Sequence, residues 1–200
     1  MKAALLLLWL AVPARADESP FLEEARQLAA AEGPRLVRLA RATLEGAVVR
    51  GELQPAVVGP QHPAPFGVFV TLVSGKITRG CFGSMEPRGR SLEELVTEAA
   101  VGAARFDPRS RPVRAGELDH LQIILSIVGP MVPVLSVAEV DPKRMGLLVR
   151  SGSRGSVLLP GEARTARGSY DRNLRQASIR KGDPIEMFRF RTVTVYEHRR

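Results

Sequence analysis

The spacing of apolar residues changes several times along this chain, and each change marks an element. Ser19-Pro20 offers a capping hydroxyl and a proline for the first helical position, with Glu23 and Glu24 following. A helix is therefore predicted to begin there and to end near Gly33-Pro34. Val37, Ala40, Leu44, Ala47 and Val48 recur at helical spacing and predict a second helix from Pro34 to about Val49, with Gly51 beyond its end. Four prolines between Gln54 and Pro65 mark a connector. Phe66 to Val73 and Lys76 to Gly83 read as strands, and Ser74-Gly75 between them predicts a two-residue hairpin turn. Ser91 and Glu94 form a capping box ahead of one apolar stripe, Leu92, Leu95, Val96, Ala99, Ala100 and Ala103, and Phe106-Asp107-Pro108 ends that helix.

The second half of the chain is richer in strands. Leu121 to Val128 is apolar on both faces, as a central strand is, and Gly129-Pro130 closes it. Gly146 to Arg150 and Ser156 to Leu159 are predicted as short strands around the loop Ser151 to Gly155. Asp171 to Lys181 is weakly helical, and Met187 to Tyr196 is predicted as one last strand. No internal repeat is present. Hairpins mixed with helices give an α+β fold, a mainly antiparallel sheet with packed helices in a single compact domain.

The N-terminus stands apart from this pattern. Lys2 precedes an unbroken apolar run from Ala3 to Val12, Pro13 ends the run, and Ala14-Arg15-Ala16 follows. This is the layout of a secretory signal, with cleavage expected between Ala16 and Asp17 and the product exported to the periplasm or beyond. Such a run falls well short of the ~20 residues of a spanning helix, so no stable membrane anchor is expected. The expected organisation is a signal over 1–16, an N-terminal helical extension over 17–33 and a domain over 34–196. Losing Lys2 and Arg15 takes Lys+Arg from 29 to 27 against 21 acids, and the net charge from +8 to +6. The basic residues are dispersed, which does not describe a nucleic-acid tract. Cys81 is the sole cysteine, so no intramolecular disulfide can form, and His62, His120 and His198 have no metal-ligand spacing. No cofactor and no metal are expected.

Residues 67–72 (Gly-Val-Phe-Val-Thr-Leu), then Arg79-Gly80-Cys81-Phe82-Gly83-Ser84, then Glu86-Pro87, resemble the core of the AMMECR family. The family's L-R-G-C-I-G strand stands here as Thr78-Arg79-Gly80-Cys81-Phe82-Gly83. Further matches follow in order: Asp107-Pro108-Arg109, Leu121 to Val128 with Pro130, Val149-Arg150-Ser151-Gly152, Leu158-Leu159-Pro160 and Phe188-Arg189-Phe190-Arg191. The resemblance covers about Pro34 to Val195. It implies a compact α+β domain of unsettled biochemical role, similar to protein A of the AmmeMemoRadiSam system, and hence Memo-like and radical SAM proteins as partners. This chain departs from the family's pattern at Ser110, where Phe is common, and at Ile124, where an acidic residue is common. It departs again after Leu159-Pro160-Gly161, where the family's longer motif survives only as Gly168-Ser169-Tyr170-Asp171. A signal sequence is also not usual in the family.

Two groups of residues carry candidate chemistry. Strict alternation along a strand puts Ile77, Arg79 and Cys81 on one face, so Arg79 is the expected neighbour that stabilises a Cys81 thiolate. Gly80 and Gly83 leave room for a ligand or for another backbone. The plainer alternative is a buried, inert cysteine beside packing glycines. No histidine is placed as a base for nucleophilic attack. The second group is Arg88, Arg90 and Ser91, where two arginines precede a capped helix start, an arrangement suited to a small anionic ligand. Its alternative is a solvated basic loop that complements Glu93 and Glu94. The glycine-rich stretch Ser151 to Ser156 lacks P-loop spacing. The leading functional expectation is an exported binding or accessory module with a cleft around Arg79-Gly80-Cys81-Phe82-Gly83. Its rivals are a thiol-dependent enzyme using Cys81 and Arg79 on a small anion, and a structural domain in which Cys81 only packs.

Overall fold

The computed structural model of the chain describes residues 20–54, 57 and 61–198, so the expected signal and its cleavage point lie outside the described residues. The first half of the fold is built on two helices. Helix α1 runs unbroken over Pro20–Glu45, with Pro34 inside it, where two helices were expected. A proline inside a helix removes one hydrogen bond and crowds the preceding turn. Burial on both sides of Pro34 outweighs that cost. Phe21, Leu22 and Ala25 pack on Ile127, while Leu36, Val37, Ala40 and Leu44 join the main core. Gly33 passes so close to Val195 that a Cβ would stand 2.9 Å from its side chain. A π-helical turn, Gly46–Arg50, ends at Gly51 in the left-handed region, φ 72°.

Strands β1 (Gly67–Ser74) and β2 (Ile77–Ser84) form the expected hairpin, with the turn one residue later than expected, at Gly75-Lys76. Gly75 takes φ 59°, the left-handed conformation that a tight hairpin turn requires. Helix α2 (Leu92–Arg105) starts at the Ser91–Glu94 capping box, and all six residues of its apolar stripe are buried. Strand β3 (Leu121–Val128) is central, between β1 and β8 (Thr192–Tyr196), and the sheet order is β2-β1-β3-β8. Helices α1 and α2 cover one face of this sheet over a core that includes Leu44, Val70, Leu72, Leu95, Ile123 and Leu125.

A second antiparallel sheet has the order β4-β7-β5-β6, from β4 (Val132–Pro133), β7 (Glu186–Phe190), β5 (Gly146–Ser151) and β6 (Arg154–Leu158). The loop expected between β5 and β6 shrinks to the turn Gly152-Ser153, with Gly152 at φ 57°. Helix α3 lies at Ala166–Gln176, five residues earlier than expected, because the Thr165 hydroxyl accepts the Gly168 N–H and starts the helix there. The last strand is two strands. The chain leaves one sheet at Phe190 and enters the other at Thr192, so the run predicted over Met187 to Tyr196 is cut at Arg191. Val128, Leu159 and Phe190 join the sheets, with Phe69, Cys81 and Val157 packed against them. The fold is α+β, antiparallel and a single domain.

Candidate functional site

The strand carrying Cys81 is not regular. Leu72 pairs with Gly80 and Val73 with Thr78, which leaves Arg79 as an extra residue in β2. A bulge of this kind reverses the alternation beyond it. Cys81, opposite Thr71, therefore shares a face with Thr78 rather than with Arg79. Arg79 turns to the 3-10 helix Ala115–His120 instead. Its Nε donates to Glu117 Oε2 at 2.5 Å, its Nη2 to Glu117 Oε1 at 3.0 Å, and its Nη1 to the Arg111 carbonyl at 2.8 Å. The expected Arg79–Cys81 couple is not formed.

Cys81 is held by other groups. Its backbone N–H donates to Asp107 Oδ2 at 2.8 Å, which satisfies an outward amide of an edge strand, and its Sγ accepts the Thr71 hydroxyl at 3.3 Å. Asp107, 5% exposed, also accepts from the Arg109 backbone, Nε and Nη2, each at 2.9 Å. Burial opposes ionisation of Asp107, but the hydrogen bonds from Arg109 and from the Cys81 amide outweigh it, and its carboxyl sits below the ordinary range. For the Cys81 thiol burial dominates, the charge of Glu162 adds to it, and the pKa is pushed up to about 11. The thiol is therefore protonated at neutral pH.

These groups surround a cleft of about 350 Å³. Phe69, Cys81 and Gly83 form its base, Asp107 and Arg109 one wall, and Val157, Leu159 and Glu162 the other. Glu162 is held in place because its Oε2 accepts the Leu159 N–H at 2.7 Å. The sequence marked Asp107 and Arg109 only as part of a family match, and neither they nor Glu162 were expected at the site. The signal for the first two was an Asp-x-Arg spacing after a helix, which lets one carboxylate take both the backbone and the side chain two residues on. Glu162 had no such local signal.

The remaining candidate residues fall elsewhere. Gly80 faces α2, where a Cβ would stand 2.1 Å from the Ala103 carbonyl oxygen, so this glycine admits another backbone. Gly83, by contrast, stays in the base of the cleft, where a Cβ on it would meet the Val68 carbonyl oxygen at 2.2 Å. The Ser91 hydroxyl accepts the Glu94 N–H at 3.2 Å, while Glu94 Oε2 accepts the Ser91 N–H at 2.7 Å, so the helix start caps itself. Arg90 pairs with Glu98. Arg88 is exposed at φ 51°. Gly80, next to Arg79, abuts Ala103 near the end of α2, while Ser91 caps the start of that helix roughly 18 Å away, so Arg79 and the Arg88–Ser91 loop do not converge. Glu93, 1% exposed, instead anchors the connector. It accepts the His62 N–H at 2.9 Å, contacts His62 Nδ1 at 2.8 Å and accepts Arg35 Nη2 at 2.5 Å. Burial opposes its ionisation, yet those bonds hold its pKa at about 2.

The two sheets, the cleft between them and the Asp107–Cys81 tie define an α+β domain with a hydrogen-bonded pocket between its sheets. The AMMECR1 family model matches residues 37–199, and the chain belongs to the AMMECR1 family. It is similar to a Thermotoga maritima protein, 36% identical over 138 residues that cover 66% of this chain and 77% of that one. An Aeropyrum pernix protein is 32% identical over 195 residues, covering 89% and 83% respectively. The crystal structure of uncharacterized protein PH0010 from Pyrococcus horikoshii superposes with a TM-score of 0.68 at 26% identity, covering 82% of this chain and 91% of that chain.

Proposed function

We propose that this AMMECR1-family protein is an exported binding or accessory module whose ligand sits beside Cys81. The observation that carries the reading is the cleft between β2 and β6, whose polar walls are already tied down by hydrogen bonds within the chain. A pocket fixed in this way is preorganised and loses little freedom when it is filled. The neutral thiol and the engagement of Arg79 with Glu117 count against nucleophilic chemistry at Cys81. Export rests on the Lys2, apolar-run and Ala14-x-Ala16 pattern, and the Memo-like and radical SAM partners rest on the resemblance alone.

Fragment screening by amide NMR tests the binding role. Hits should move Cys81, Gly83, Asp107 and Val157 together, and a folded Cys81→Trp variant, which fills the cleft, should lose them. A screen in which no compound moves that set refutes the site. Covalent turnover of an electrophilic substrate at Cys81 would replace binding by catalysis. For export, the intact mass of protein secreted by the native host should correspond to a chain beginning at Asp17.

A further inference from the structure

The face of the first sheet that α1 and α2 leave uncovered carries a second cleft, of about 540 Å³, which shares Leu159 and Glu162 with the Cys81 cleft. Hydroxyls from all four strands line it: Thr71 of β1, Thr78 of β2, Ser126 of β3, and Thr192 and Thr194 of β8. The period of two explains the row. Val70, Leu72, Ile123, Leu125 and Ile127 take the alternate positions and are buried on the helix side. Ser126 stands opposite Thr194 in register.

The rim is cationic. Arg26 comes from α1, Lys143 and Arg144 from the turn before β5, and Arg191 from the crossing between sheets. The one carboxylate among the lining residues, Glu162, is turned back onto the Leu159 N–H at 2.7 Å. Glu23 stands 4.0 Å from Arg26 and Asp141 stands 3.8 Å from Arg144, on side chains that water screens. Both are at the outer limit of an ion pair, and an incoming anion displaces them readily.

Arg26 has a further meaning, because it precedes residue 37, where the family match begins. It is nonetheless firmly placed. Leu22 and Arg26, four residues apart, share a helix face and both line the cleft. Phe21, Leu22 and Ala25 are buried against Ile127, and the Phe21 ring meets Phe66 edge-on at 4.8 Å between centroids.

We propose that this second cleft binds a small polyanion carrying two or more carboxylate or phosphate groups, and that the N-terminal half of α1 completes the site. Arg26 and the Lys143–Arg144 pair stand on two separate elements around a floor of hydroxyls, so a ligand with several anionic groups can meet both at once, whereas a monoanion gains less from the arrangement. This cleft adjoins the Cys81 cleft but is a separate site, and its ligand class goes beyond the reading proposed for Cys81.

The test uses the full chain, titrated with citrate, pyrophosphate and acetate and followed by amide shifts and calorimetry. Citrate or pyrophosphate should move Ser126, Thr194 and Arg144 and bind at least tenfold tighter than acetate, and comparing the two polyanions distinguishes carboxylate from phosphate recognition. Arg26→Glu, and Lys143→Glu with Arg144→Glu, alter exposed side chains and should each weaken binding tenfold or more. Lys181→Glu, away from the cleft, should change nothing. Absence of saturable shifts up to about 20 mM of either polyanion overturns the proposal. Binding that survives the charge reversals overturns it as well. Shifts confined to Cys81, Gly83 and Val157 would refute this site while leaving the Cys81 cleft standing, and polyanion shifts here without any ligand there would do the reverse.

Discussion

Adding a single methyl group at position 80 should separate the hairpin from helix α2. An ideal Cβ on Gly80 would lie 2.1 Å from the Ala103 carbonyl oxygen and 3.2 Å from its carbon. Carbon–oxygen contacts ordinarily close to about 3.3 Å, so the two elements must part by about 1.2 Å. Neither side yields easily, because both atoms belong to backbone, and Val96, Ala99 and Ala103 are buried in the core at this contact. Overpacking costs typically ~1–3 kcal/mol, and a clash between backbones belongs at the upper end, about 3 kcal/mol. For a chain of this size that corresponds to a fall in Tm of about 6–12 °C. Urea unfolding followed by far-UV circular dichroism would measure it, with Gly75→Ala as the comparison. Gly75 has φ 59° and open space around it, so its alanine variant carries only the conformational penalty of about 1–2 kcal/mol. Gly102 supplies a second contrast, since its added Cβ would meet the Phe82 ring at 2.2 Å. A side chain can be trimmed, so Phe82→Leu should recover part of the loss in Gly102→Ala and none of the loss in Gly80→Ala. If Gly80→Ala costs no more than Gly75→Ala, the close approach of β2 to α2 is wrong.

Two other perturbations read the electrostatics directly. With its pKa near 11, the Cys81 thiol is about one part in ten thousand thiolate at pH 7. Alkylation by iodoacetamide should therefore be roughly a hundredfold slower than for an unshifted thiol and should rise tenfold per pH unit toward 11. Arg79→Gln should leave that profile unchanged, whereas Asp107→Asn, which removes a carboxylate and leaves Arg109 unpaired, should speed the reaction; a plateau below pH 9 would refute the assignment. Glu93 is a carboxyl whose pKa is lower folded than unfolded, so its stabilising effect is complete above about 4.5 and is lost as pH falls toward 2. Glu93→Gln should cost about 2–3 kcal/mol at neutral pH and flatten the acid limb of the stability profile between those values, and an unaltered acid limb would exclude Glu93 as its source.

Which parts of the fold were legible in advance follows from the range of the forces involved. The Ser91–Glu94 box, the Gly75 turn and the both-faced apolar run of β3 depend on neighbours within a few residues, and each is found at or within one residue of its expected place. The alternation rule failed at Arg79, where one extra residue in β2 redirects the side chain to Glu117. The Cys81 cleft was partly legible. Cys81 and Gly83 line it, but Asp107, Arg109 and Glu162 arrive from positions up to 81 residues away along the chain.

The sequence by itself determined what short-range stereochemistry controls: where α2 starts, where the first hairpin turns, and that the fold mixes helices with antiparallel strands. Only the tertiary structure decided that α1 continues through Pro34, because the apolar surface that repays the lost hydrogen bond lies on β3 and β8. It also decided that the last apolar run is cut at Arg191 and shared between two sheets. The cationic cleft is of the same kind. Arg26, Arg144 and Arg191 have no common pattern along the chain, and their positive charges converge only because α1, the turn before β5 and the sheet crossing meet around one open face.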